Sequence, residues 1–161
     1  MHHPVSRPAA RGSTVLHDAA RLLANLLPVT GREPRRPRHP ARTQKTRMDL
    51  QLRVEPHGER AVVHVAGEID LATCPQLRAA LLELTSRGVH HLLVDLAQVS
   101  FLDSSGIGVL IGALHRVRQH QGSITLVAPT PRVRQVLGLT GITQVLPVHA
   151  SLNQALVPDP T

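Results

Sequence analysis

The stretch Phe101-Leu102-Asp103-Ser104-Ser105-Gly106-Ile107-Gly108 joins two segments with different hydrophobic patterns. Before it, residues 91–96 (HLLVDL) form a short apolar run of strand length. After it, apolar residues recur at positions 107, 110, 111, 114 and 117, which is the spacing of one face of an α-helix. The two serines are therefore predicted to lie at a strand-to-helix junction, at the helix N-terminus.

The chemistry of this turn allows two interpretations. Asp103, Ser104 and Ser105 are all favoured N-cap residues, because a short side-chain oxygen can accept from the free N–H groups of the first helical turn. The same N–H groups and the helix dipole favour an anion, so they would partly stabilise a phosphoryl group on a serine. Asp103 would oppose it by like-charge repulsion. The turn is thus either a simple cap or a capped site of phosphorylation.

Enzyme motifs that resemble this turn fail on spacing. A nucleophile elbow needs a glycine two residues before the serine, and Leu102 and Asp103 occupy those positions. A dinucleotide fingerprint needs Gly-x-Gly-x-x-Gly, but Gly106, Gly108 and Gly112 are spaced one residue too far. The seven histidines after residue 48 form neither an i, i+4 pair nor a Cys/His ligand pattern. We therefore predict no enzyme, no cofactor and no metal.

Charge divides the chain near residue 47. Residues 1–47 contain ten Arg and Lys against two acidic residues, a net charge of +8, whereas residues 48–161 carry −1. The Pro- and Arg-rich part without periodic hydrophobicity predicts a disordered extension, with one short capped helix over residues 13–27. An Arg-rich start is also typical of transit peptides and of phosphate-binding segments. Because Met48 opens a run typical of a compact domain, residues 1–47 are alternatively sequence upstream of the natural start.

The remaining residues, 48–158, are predicted to form one domain with an aliphatic core, since Phe101 is the only aromatic residue of the chain. That composition argues against direct nucleic-acid binding by aromatic stacking. The apolar part of the extension is too short for a membrane span, so no membrane partner is expected. A single cysteine, Cys74, excludes an intramolecular disulfide, and the absence of a secretory signal pattern predicts a cytoplasmic protein.

Strand and helix patterns alternate along this domain. The sequence predicts strands at 50–55, 61–66, 91–96, 123–127 and 145–148, and helices at 73–87, 104–119 and 131–139. The first two strands are expected to pair as a hairpin, while later crossovers through helices require parallel strands. The fold class is therefore α/β, with a mixed β-sheet of four to five strands and helices packed on it. Ligands and switches in such folds lie at the carboxyl ends of strands, where Gly67–Asp70 and the serine turn are both expected.

Five motifs together carry a family resemblance. They are Gly67-Glu68-Ile69-Asp70, Val94-Asp95-Leu96, the Phe101–Gly108 turn, Gly122-Ser123-Ile124-Thr125-Leu126-Val127 and Leu139-Thr140-Gly141-Ile142. In this order and spacing, the chain from Met48 to about Val157 resembles the STAS domain of anti-sigma factor antagonists. The Asp-Ser-Ser-Gly turn is the most specific of the five. The long extension and the shortened C-terminal helix, residues 151–156, depart from the family pattern.

The resemblance implies a bacterial partner-switching protein that is not an enzyme. In that family, the unphosphorylated antagonist binds an anti-sigma factor that is also a serine kinase, and phosphorylation breaks the complex until a serine phosphatase restores it. By motif, the phosphorylated residue is Ser104. The alternative is a STAS scaffold or sensor that binds a protein or small ligand without a phosphorylation cycle. The partner-binding residues implied by the family motif are Asp70, Asp103, Ser105, Gly106 and Ile107.

Overall fold

The computed structural model describes residues 49–157, and within this range one mixed sheet contains five strands in chain order. β1 pairs with β2 in the antiparallel direction, and all later neighbours are parallel. This confirms the predicted α/β fold with a mixed sheet. The extension, the helix predicted at 13–27 and the start at Met48 lie outside the described residues. The strands are β1 Gln51–His57, β2 Arg60–Ile69, β3 His91–Leu102, β4 Ser123–Val127 and β5 Val148–His149.

Four α-helices occur in the same range, and their first turns carry the expected signals. They are α1 Cys74–Ser86, α2 Ser104–Arg118, α3 Pro131–Leu139 and α4 Leu152–Leu156, with a 3-10 turn at Ile142–Gln144. Proline lies in the first turn of α1 and α3, where its missing N–H costs no intrahelical bond. The Thr130 hydroxyl caps α3 by accepting from the Val133 N–H. Local sequence therefore determines where these helices begin.

The core lies between one face of the sheet and the long helices. Alternate residues of β2, namely Ala61, Val63 and Val65, point into it, as the two-residue period of a strand requires. From α1 it receives Leu77, Leu81 and Leu84, spaced at i, i+4 and i+7. On the other face, a small cluster of Val62, Leu93 and Val127 is covered by α4. Where α4 covers it, the sheet is thus packed on both faces.

Three strands differ from the prediction by three residues or more at one end. β2 continues to Ile69 and β3 to Leu102, six residues beyond the predicted end. The β2–β3 register shifts twice, and each time β3 has one residue more than β2. Such bulges break the alternation on which the prediction relied. β5 comprises only Val148–His149, because the apolar residues just before it, including the fully buried Leu146, lie in a loop.

His90 combines a buried ring nitrogen with two neighbouring histidines. Its ring stacks on that of His120 at 4.3 Å between centroids. Its buried Nδ1 has no hydrogen-bond partner among residues 49–157. Burial lowers the pKa of His90 below the ordinary 6.5, and the neighbouring His120 and His91 lower it further. The unfolded chain therefore binds a proton near pH 6.5 that the folded chain resists.

We expect the free energy of unfolding to be unaffected by His90 above about pH 6.5 and to fall as the pH decreases below it. Urea unfolding followed by circular dichroism between about pH 7.5 and pH 5 measures this dependence. His90→Gln should flatten the dependence over this window. The matched control His57→Gln, at an exposed strand end, should not. Equal slopes for the two variants would contradict the assignment to His90.

Candidate functional site

The carboxyl ends of β2 and β3 bring the two predicted motifs together. Ile69 and Leu102 are paired in the sheet, and the Asp103 N–H donates to the Ile69 carbonyl at 3.2 Å. Asp70 directly follows β2 and Asp103 directly follows β3, so both residues lie at the same edge of the sheet. A shallow surface depression at this edge is lined by Asp70, Leu71, Ala72, Phe101 and Asp103. The structure thus places both carboxylates in one surface feature, as the strand topology predicted.

Asp103 organises the serine turn as the N-cap of α2. Its Oδ1 accepts from the Ser105 N–H at 2.9 Å and from the Gly106 N–H at 3.3 Å. The Ser105 hydroxyl also donates to this Oδ1. A single carboxylate oxygen of Asp103 therefore accepts hydrogen bonds from two backbone N–H groups of the first turn and from the Ser105 hydroxyl. The capping interpretation of the sequence is correct for Asp103.

Ser104 differs from Ser105 in its surroundings. Ser104 is the first residue of α2 and is exposed, whereas Ser105 is half-buried. Within residues 49–157 no side chain or backbone group forms a hydrogen bond with the Ser104 hydroxyl. This hydroxyl is therefore available to an enzyme or a partner, at a helix end whose dipole favours added negative charge.

Gly106 and Ile107 face the interior instead of the surface. A Cβ on Gly106 would lie 2.5 Å from the Ile69 Cγ2 and 2.6 Å from the Leu102 Cδ1. Ile107 is only 9% exposed and belongs to the core cluster. Of the five predicted partner-binding residues, these two are buried, and their part in partner binding stays a prediction. Their contribution is to let α2 approach the sheet closely and so to position the exposed turn.

Asp70 builds the loop that faces the serine turn. Its Oδ1 accepts from the Ala72 N–H at 2.8 Å and from the Thr73 N–H at 2.9 Å. The Thr73 hydroxyl accepts from the Asp70 N–H at 3.0 Å and donates to the Glu68 carbonyl at 2.6 Å. Sequence reasoning missed Thr73, although Asp-x-x-Thr after a strand is a spacing typical of such local turns. The loop is consequently fixed on both sides of Leu71.

The family model of the STAS domain matches residues 51–155. The chain belongs to the STAS domain family. The anti-sigma-B factor antagonist of Bacillus subtilis is 31% identical to it over 103 residues, which cover 64% of this chain and 94% of that protein. Among solved structures, an anti-sigma factor antagonist from Mycobacterium paratuberculosis is 32% identical, with a TM-score of 0.63 over 67% of this chain and 92% of that one. The STAS fold implied by the sequence motifs is confirmed.

A third similar structure is that of the Bacillus cell fate determinant SpoIIAA in its phosphorylated form. It is 25% identical to this STAS chain, with a TM-score of 0.54 over 66% of this chain and 96% of the other. Within residues 49–157 of this STAS protein, no helix combines the length and apolar character that crossing a bilayer requires.

A second polar cluster of this STAS domain was not foreseen from the sequence. The Nδ1 of His64 lies 2.8 Å from the Asp95 Oδ2, and its Nε2 lies 3.3 Å from the Glu55 Oε2. The three residues lie on three different strands, so only the strand register brings them together. Beside them lies a cavity of about 580 Å³ lined by the start of β1, the middle of β2 and β3, and Gln76. In the described part of the chain, no group of histidine, cysteine and carboxylate side chains is arranged to hold a metal ion.

Asp103→Ala is expected to destabilise the STAS domain by about 0.5–2 kcal/mol, because the first turn of α2 loses its cap. Asp103→Asn should lose much less, since the amide oxygen can still accept from the Ser105 N–H. Urea unfolding followed by circular dichroism measures both. Asn then serves as the variant that removes the charge while keeping the cap. Equal losses for Ala and Asn would show that the charge, and not the hydrogen bonds, stabilises the turn.

Proposed function

We propose that this STAS protein is an anti-sigma factor antagonist. In the proposal, the unphosphorylated chain binds an anti-sigma factor that is a serine kinase, and phosphorylation at Ser104 releases it. The observation that carries the proposal is the difference between the two serines. Ser104 is exposed and its hydroxyl has no hydrogen-bond partner among residues 49–157, whereas the Ser105 hydroxyl donates to Asp103. The relatives named as antagonists, and the solved phosphorylated form of SpoIIAA, support the same assignment.

Electrostatics explains how a phosphate at this position can act as a switch. A phosphoserine adds about −1.5 to −2 charges at neutral pH. In the free chain, the N-terminus of α2 and bulk water would stabilise that charge. In a complex, the phosphate would lose water beside Asp103 and near Asp70, which line the adjoining depression. The modification therefore disfavours the complex more than the free chain.

The proposal includes a serine phosphatase that restores the binding form, and it assigns no catalytic step to this chain. Asp70, Asp103 and Ser105 belong to the proposed partner surface, directly or through the turn that they hold. Gly106 and Ile107 are buried between the first turn of α2 and the sheet, and they hold the turn in position. The cytoplasmic location stays a prediction, consistent with a partner that controls transcription.

Phosphate transfer tests the proposal. The full chain is incubated with ATP, Mg²⁺ and a panel of anti-sigma factor kinases, and intact and peptide mass spectrometry locates the product. We expect one phosphoryl group on Ser104, none on Ser104→Ala, and full transfer to the matched control Ser105→Ala. A kinase panel that phosphorylates another antagonist but not this chain would overturn the proposed switch.

The cavity beside His64 favours the second candidate, a STAS scaffold or sensor without a phosphorylation cycle. Its volume of about 580 Å³ lies within the range of small-molecule sites. Such a protein would bind its partner equally well as the wild type and as Ser104→Asp. The mass spectrometry above would then show no transfer, while the STAS fold remains.

A further inference from the structure

Two large apolar side chains, Leu71 and Phe101, line the depression beside the serine turn. Leu71 is 77% exposed and lies between Asp70 and the exposed Ala72. Phe101, the only aromatic residue of the chain, lines the same depression and is half-buried. The only Phe, Tyr or Trp side chain of the sequence thus lies at this surface, while the core cluster of the described residues consists of aliphatic side chains and Cys74. Aromatic and large apolar groups gathered at one surface point are typical of binding anchors.

The backbone that carries Leu71 and the ring of Phe101 are both held by contacts within the chain. The backbone around Leu71 is fixed by the Asp70 carboxylate and the Thr73 hydroxyl. The guanidinium carbon of Arg132 lies 5.5 Å from the centroid of the Phe101 ring, a cation–π contact. A rigid anchor loses little conformational entropy on binding, which raises affinity. The backbone of the loop is therefore already ordered, so little backbone entropy is lost when Leu71 contacts a partner.

We propose that Leu71, with Phe101 beside it, is the apolar anchor by which this chain binds its anti-sigma factor; this inference rests on the proposed function. The occupant of the depression is an apolar side chain of the partner that is followed or preceded by a basic one. Leu71 and Phe101 remove the apolar group from water, and the carboxylate of Asp103, which lines the same depression, receives the positive charge.

This arrangement also links the anchor to the switch. Asp103 lines the depression and directly precedes Ser104, so a phosphate on Ser104 lies beside the same contact. Hydration of the phosphate requires water at the edge of the depression, whereas the apolar contact requires its removal. Phosphorylation of Ser104 therefore weakens partner binding at Leu71 and Phe101 without moving these side chains.

The test compares exposed leucines of equal chemistry. Dissociation constants are measured for the unphosphorylated full chain and the anti-sigma factor kinase that modifies Ser104, using isothermal titration calorimetry. We expect Leu71→Ser to weaken binding by about thirtyfold or more, and Leu71→Met to stay within about threefold. The matched control is Leu139→Ser, which is 82% exposed at the far end of α3 and should change binding less than about twofold. Thermal unfolding should be unchanged in all three.

The outcomes separate the anchor from the switch. If Leu71→Ser binds as tightly as Leu139→Ser while the kinase still phosphorylates Ser104, Leu71 is not the anchor and the proposed function stands. If the unmodified chain binds no kinase of the panel, both are wrong. Should Leu71→Ser alter the loop, seen as faster hydrogen exchange at residues 70–73, Leu71→Met and Leu71→Lys decide. Retained binding by Leu71→Lys overturns the anchor, and its loss supports it.

Discussion

A phosphate on Ser104 is expected to weaken binding to the anti-sigma factor by about a hundredfold or more. A hundredfold loss corresponds to about 2.8 kcal/mol, which is about half of the roughly 5.5 kcal/mol that moves a complex from almost fully bound to almost fully free. Burying a doubly charged group beside one or two carboxylates supplies a penalty of several kcal/mol. The exposed position of Ser104 next to Asp103 places the new charge on the proposed partner surface.

Titration calorimetry with the purified phosphorylated chain measures this loss. Ser104→Asp, which adds a single charge, should show a smaller loss of about tenfold, and Ser104→Ala almost none. The affinity ratio between the unphosphorylated and phosphorylated forms should be smaller for Asp103→Asn than for the wild type, because one charge that repels the phosphate is removed while the cap is kept. Equal affinities of the phosphorylated and unphosphorylated chains would contradict the switch.

Gly122→Ala is expected to destabilise the domain by about 3 kcal/mol or more. A Cβ at this position would lie 2.1 Å from the carbonyl oxygen of His90 and 2.8 Å from its carbonyl carbon. These are backbone atoms of the connection into β3, and the same carbonyl accepts from the Ser123 N–H at 2.9 Å. Relief of the clash therefore requires separation of β3 and β4 at their first paired residues.

The matched control is Gly112→Ala, inside α2. Nothing lies within 4 Å of the added Cβ there, so alanine should stabilise the helix by about 0.5–1 kcal/mol. Urea unfolding of both variants gives the two free energies. Similar values for Gly122→Ala and the wild type would mean that the strand connection accommodates a side chain.

The parts of the fold that depend on neighbouring residues were predictable from the sequence. The apolar spacing after Ser105 and the cap residue Asp103 predicted α2 within one residue. The meeting of Asp70 and Asp103 followed from strand direction alone, since parallel strands have their carboxyl ends at one edge.

The parts that depend on packing were not predictable. Two extra residues in β3 interrupt its alternation, so the predicted strand ended at Leu96 instead of Leu102. The burial of Gly106 could not be inferred either, because it is set by Ile69 and Leu102 of the neighbouring strands. The side chains of His64 and Asp95 are 31 positions apart and meet only through the register of β2 and β3.

The placement of Phe101 has a consequence for spectroscopy. The chain contains neither tryptophan nor tyrosine, so its near-ultraviolet absorbance and its intrinsic fluorescence are both very weak. A tryptophan introduced as Phe101→Trp would be the only emitter, and it would stand in the depression beside Ser104 and under the Arg132 guanidinium. Its emission would then report phosphate transfer and partner docking in real time, without any attached dye.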